Sequence, residues 1–162
     1  MSSIVVADAG PLHYLILIDS AEVLGALFDF VLIPTGVRDE LMQSNTPQKV
    51  KEWLSASKNW LRVERVSQFC PMAGLHPGEA EALQLALQTK AGGVLMDDME
   101  GRQQARRLGI TVIGTVGLLE RAAEIGLVEL PVAFGRLQTT NFFISPEVLA
   151  AALVQDQHRK KP

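Results

Sequence analysis

Very short apolar runs that alternate with helix-forming stretches constrain this chain more than any other feature. Ile4-Val5-Val6-Ala7, Val31-Leu32-Ile33 and Gly93-Val94-Leu95-Met96 carry no polar side chain. Runs of that length read as strands buried on both faces, because a strand with one wet face alternates apolar with polar residues. Asp8-Ala9-Gly10-Pro11 closes the first, Pro34 the second and Asp97-Asp98 the third, and each gives way to a helical pattern. Leu61 to Val66 and Thr111-Val112-Ile113 add two further extended segments. Strands separated by helices pair in parallel through right-handed crossovers, which put helices on both sides of the sheet. The predicted fold class is therefore α/β, a three-layer α/β/α sandwich with a short, mainly parallel central sheet.

Helix boundaries follow from caps and breakers. Leu12 to Ile18 and Ala21 to Phe28 form one or two helices, and Thr35 is the expected N-cap of a helix through Val37, Leu41 and Met42, with Glu40 near its start. Pro47 to Ala56 is a further helix and Gln68 to Pro77 a loop. Gly78 to Leu87 is rich in strong helix formers, with acids in the first turn where the helix dipole favours them. Gly101 to Leu108 reads as a basic helix, Thr115 as the N-cap of a helix over Val116 to Ile125, and Pro131 to Leu137 and Ser145 to Val154 as two more. Residues 1–157 are expected to form a single domain, with 158–162 a frayed basic tail.

Composition narrows the function. A chain of 162 residues fits one domain on a prior of about 150 residues each, and 48% apolar with 20% charged residues is ordinary for a globular protein. No apolar run approaches the roughly 18 residues of a membrane span, and no basic leader precedes the first strand, so no membrane association and a cytoplasmic location are expected. The lone Cys70 lacks a partner for a disulfide or metal site and is expected simply to pack. A net charge of −3 argues against a broad cationic surface for nucleic acid, so any such binding must be local. His13, His76 and His158 show no metal-ligand spacing, and no nucleophile elbow is present.

The acids offer more. In open parallel sheets, strand C-termini and the N-termini of the following helices meet along one edge, where ligand sites form. Asp8, Asp97 and Asp98 occupy such strand ends, and Glu40 and Glu79 lie close after their own loops. Glu79 shares a face with Leu83 and Ala86, at spacings of four and seven, whereas Glu81 is expected to be rotated away. Carboxylates held close repel one another unless a cation compensates, and an all-oxygen shell suits Mg²⁺ or Mn²⁺ rather than zinc. Such an ion suits phosphodiester hydrolysis. Arg102 and Arg106, four apart on the following helix, are candidate phosphate contacts.

Three segments resemble a PIN-domain subfamily in order and spacing: Val6-Ala7-Asp8-Ala9-Gly10-Pro11-Leu12, Leu75-His76-Pro77-Gly78-Glu79-Ala80-Glu81-Ala82, and Met96-Asp97-Asp98 followed by Arg102. Gly109 to Leu119 extends the likeness, which covers roughly residues 4 to 130. The resemblance, which includes VapC-type toxins of bacterial and archaeal toxin–antitoxin pairs, implies a metal-dependent endoribonuclease with Asp8, Glu40, Glu79 and Asp98 as its acidic quartet and Asp97 as an alternative ligand. It also implies an RNA substrate, an antitoxin partner that blocks the acidic groove, and a homodimer. The sequence departs from the subfamily twice: many PIN domains carry Asp where Glu79 stands, and a Ser, Thr or Asn near Gly10 that orients metal-bound water. A non-catalytic RNA-binding or regulatory PIN-fold module is the alternative. A nucleotide-binding α/β enzyme is disfavoured by the absence of a P-loop and a GxGxxG turn.

Overall fold

Five parallel strands form one sheet in the order β3-β2-β1-β4-β5 in a computed structural model that describes residues 3–160. They are β1 (Ile4–Ala7), β2 (Phe30–Pro34), β3 (Leu61–Glu64), β4 (Gly93–Leu95) and β5 (Val112–Ile113). Helices α1 (Ala9–Leu17) and α2 (Val23–Leu27) link β1 to β2, and α3 (Thr35–Leu41) and α4 (Gln48–Ser55) link β2 to β3. Helix α5 (Pro77–Thr89) carries the chain back past β2 and β1 to β4, and α6 (Met99–Arg107) leads on to β5. Helices α7 (Thr115–Glu124), α8 (Leu130–Gln138) and α9 (Pro146–Lys160) complete the chain.

This order reverses direction between β1 and β4, and the crossover helices change face with it. The strand pleat sorts the core accordingly. Val5, Ala7, Val31, Ile33 and Leu95 face one side, where they pack with α1, α2, α3, α7 and α8. Their neighbours Val6, Leu32, Val94 and Met96 face the other, against Ala82, Leu83, Leu85 and Ala86 of α5 and Ala105 of α6. With apolar residues needed on both faces, the inner strands β1, β2 and β4 carry no alternation, whereas the edge strand β3, Leu61-Arg62-Val63-Glu64, does. Truncating a fully buried side chain such as Leu83 to alanine is expected to cost about 2–5 kcal/mol.

Several boundaries differ from the expectations. Of the one or two helices expected in the early apolar stretch there are two, beginning at Ala9 and Val23 and broken where Asp19 adopts a left-handed φ of 60° and pairs with Lys49 at 2.9 Å. Pro34, not Thr35, occupies the N-cap of α3, and Glu40 lies in that helix's last turn rather than near its start. Cys70 is exposed rather than packed. Its backbone N–H donates to the side chain of Gln84, fastening the loop to α5. The expected tail is helical through Lys160, whose ammonium pairs with Glu129 at 2.8 Å and Asp156 at 3.2 Å. Lys161 and Pro162 lie outside the described residues. Among the described residues no helix is long and apolar enough to cross a membrane.

Candidate active site

The reversal between β1 and β4 leaves a crevice at the C-terminal strand ends, the usual ligand position in an open α/β sheet. The backbone N–H of Asp8 donates to Leu95 O at 3.0 Å, tying the end of β1 to that of β4. A cleft of about 620 Å³ opens there. Asp8, Asp39, Glu40, Glu79, Glu81, Asp97 and Asp98 line it, and among the described residues no lysine or arginine does.

The carboxylates are not equivalent. Asp8 is only 8% exposed. Burial pushes its carboxyl up to about 7, aided by the charges of Glu79 and Glu40 and opposed by the Ala9 amide and His76. Burial also raises Glu79, with Asp98 and then Glu40 adding to it, while the backbone amide and ring of His76 lower it. Asp8 therefore lies within the fields of Glu79 and Glu40, and Glu79 within those of Asp98 and Glu40.

Asp97 and Asp98 divide two tasks. Asp98 is the N-cap of α6 and accepts from the Gly101 N–H at 3.0 Å through Oδ2, which leaves Oδ1 without a protein donor among the described residues. Asp97 has both oxygens engaged by Thr115: Oδ1 accepts from the backbone N–H at 2.8 Å and Oδ2 from the hydroxyl at 2.6 Å. Thr115 is thus the fully buried anchor of α7 to β4, and Gly114 holds the N-cap expected of it. Asp97 acts first as that anchor's acceptor.

Two neighbours escaped the sequence reading. Glu81 is not rotated away from the site. It lines the cleft and accepts from the Gly36 N–H at 2.9 Å, so it ties α5 to the first turn of α3. Gly36 permits the approach, since a Cβ there would lie 2.4 Å from a Glu81 oxygen. The second is His76, the N-cap of α5. Its backbone N–H donates to Glu79 at 3.2 Å. Its Nδ1 stands 3.3 Å from the Gly78 N–H and 3.4 Å from a Glu40 oxygen. One nitrogen cannot accept from the first and donate to the second together, so a bare Nδ1 caps α5 and an Nδ1–H donates to Glu40. The His-Pro-Gly-Glu order was a visible capping signal; its link to Glu40 depends on how α3 crosses α5.

The two arginines part company. Arg102 lines an adjoining cleft, whereas Arg106 is exposed in the last turn of α6 and lines neither cleft. Among the described residues no three His, Cys, Asp or Glu side chains stand together at metal-ligand spacing. The donors are hard oxygens in a field of uncompensated negative charge, which fits a divalent cation of the Mg²⁺ or Mn²⁺ type.

Buried parallel strands, a reversal between β1 and β4 and acids gathered at that reversal define an α/β fold of the PIN type. A family model described as a PIN domain matches residues 4–158, and the chain belongs to the PIN-domain family. A PilT N-terminus domain protein from the hyperthermophilic archaeon Sulfolobus solfataricus P2 is similar in structure, with a TM-score of 0.55 at 20% identity over 74% of this chain and 92% of that one. At that identity the likeness speaks to the fold. Among curated proteins none matches the chain.

Proposed function

We propose that this protein is a divalent-metal-dependent endoribonuclease, in which Asp8, Glu40, Glu79 and Asp98 hold Mg²⁺ or Mn²⁺. The observation that carries this reading is the cleft itself: seven carboxylates at the sheet's reversal with no lysine or arginine to neutralise them among the described residues. A bound divalent cation supplies charge stabilisation to a phosphodiester under attack and favours the hydroxide form of water. The protein's own side chains do the rest. Asp8 must shed its proton to bind a cation, so binding strengthens as pH rises through about 7. Asp97 fixes the strand end beside Asp98 by holding Thr115. Arg102 supplies a fixed positive charge for an RNA phosphate, with Arg106 a more distant contributor.

The same reading extends to a cytoplasmic toxin that acts as a homodimer and is silenced by an antitoxin seated over the acidic groove. Gly10 supports the second reading, a non-catalytic RNA-binding or regulatory module, because it offers no side chain to orient water. Cleavage of mixed single-stranded RNA by wild type and Asp98→Asn, each with Mg²⁺, Mn²⁺ or chelator, separates the two. The nuclease reading predicts metal-dependent cutting by wild type alone. RNA bound but uncut in every metal supports the binding module.

A further inference from the structure

The acidic cleft does not end at the acids. Gly10, Asp97 and Asp98 also line a second, larger cleft of about 880 Å³ that runs away between α6, α7 and the segment leading into α9. Its chemistry is different. Arg102 and Arg121 line it, opposed by the single acid Glu120 beyond the shared aspartates. Neither arginine makes an ion pair among the described residues, whereas Arg38, Arg159 and Lys160 do. Gly114 leaves space for one of them: a Cβ at that position would lie 3.1 Å from an Arg102 guanidinium nitrogen.

Phe143 lines the same cleft and is 82% exposed, far more than any other large apolar side chain described. The backbone that presents it is pinned. Tyr14 donates its hydroxyl to Asn141 at 2.7 Å, and its ring meets Phe142 edge-on at 5.0 Å. Phe142 thus turns inward to pack on the core while Phe143, its neighbour, is held outward over the cleft. An exposed aromatic face in the same cleft as two arginines, a cleft that shares Asp97 and Asp98 with the carboxylate site, is the combination that takes an unpaired nucleotide, with stacking for the base and guanidinium for the phosphate.

We infer that Phe143 is a stacking platform for an unpaired base next to the scissile phosphate, with Arg102 and Arg121 holding the adjoining phosphates. This inference rests on the nuclease reading above for the identity of the ligand. It differs from that reading in what Phe143 does.

The test is a binding cycle in chelator, where nothing is cut. Fluorescence anisotropy is measured on a short single-stranded RNA series in which one position at a time is abasic, using wild type, Phe143→Ala and Phe143→Tyr. Because Phe143 is exposed, the alanine variant is expected to fold. Wild type should lose roughly 5- to 100-fold in affinity when one particular base is removed. Phe143→Ala should show the same loss on intact RNA and become indifferent to that abasic position, and Phe143→Tyr should restore wild-type behaviour. Equal sensitivity of wild type and Phe143→Ala to every abasic position overturns the inference while leaving metal-dependent cleavage by wild type intact. A wild type that neither binds nor cuts RNA overturns both readings. A Phe143→Ala variant whose RNA affinity is unchanged but whose mass in solution falls by half assigns the ring to contact with a second copy instead, and also overturns it.

Discussion

Replacing Asp8 with asparagine should stabilise the metal-free protein, and by an amount that depends on pH. Burial and the neighbouring Glu79 and Glu40 raise the Asp8 carboxyl from 3.8 to about 7 in the folded state. A raised acid binds more protons folded than unfolded. Its contribution to stability is therefore fully present below about 4 and is lost as pH rises through about 7. A change of roughly three pH units at about 1.4 kcal/mol each sets an upper bound of about 4 kcal/mol for the cost of ionised Asp8 at pH 8. The asparagine side chain is never charged and keeps much of the shape, so it avoids that cost. Urea unfolding of wild type and Asp8→Asn between pH 4 and 8, in chelator, measures the effect. The variant should match wild type near pH 4 and exceed it by about 2–4 kcal/mol at pH 8. A difference that does not change with pH, or a variant less stable at pH 8, would refute the placement of Asp8 as a buried acid among acids.

Other substitutions separate residues that look alike in the sequence. Thr115→Val removes the hydroxyl that reaches Asp97 at 2.6 Å and should lower stability by about 1.5–3 kcal/mol, read from denaturant midpoints at constant slope. A neutral outcome would show that the Asp97 anchor contributes nothing. Glu81→Gln keeps an acceptor for the Gly36 N–H and should leave metal-dependent cleavage within a few-fold of wild type, while Glu79→Gln abolishes it; equal losses in both would assign Glu81 to the ligand set. Gly10→Ser meets nothing within 4 Å and should stabilise α1 by about 0.5 kcal/mol in thermal unfolding. Destabilisation there would mean that the junction of the clefts is closed to a side chain.

The layers of this fold could be read from the chain because its three inner strands are buried on both faces. Val5, Val6 and Ala7 point to alternate sides, yet all three are apolar, and that lack of alternation marks a covered parallel strand. The acids at strand ends were equally legible, since Asp8 and Asp97-Asp98 follow directly from where β1 and β4 stop. What the chain order does not carry is how helices cross. Glu81 looked outward on a wheel drawn for α5 alone, and it faces the site because α3 lies across that helix with Gly36 beneath its carboxylate. The pairing of His76 with Glu40 has the same origin. The roles of Asp97 and Asp98 were inseparable by position, and only the neighbouring Thr115, eighteen residues on from Asp97, distinguishes them. Phe143 was one apolar residue among several in a loop until Tyr14 fixed which of two adjacent phenylalanines turns outward.

The most direct test of the central claim is a Mn²⁺ titration followed by electron paramagnetic resonance at pH 8, comparing wild type with Asp8→Asn, Asp98→Asn and, as a control that keeps its hydrogen bond, Glu81→Gln. The account predicts saturable Mn²⁺ binding by wild type and Glu81→Gln, competed by Mg²⁺ and weakened at least tenfold in Asp8→Asn and Asp98→Asn. Undiminished binding in both of those variants, or none in wild type, would contradict it.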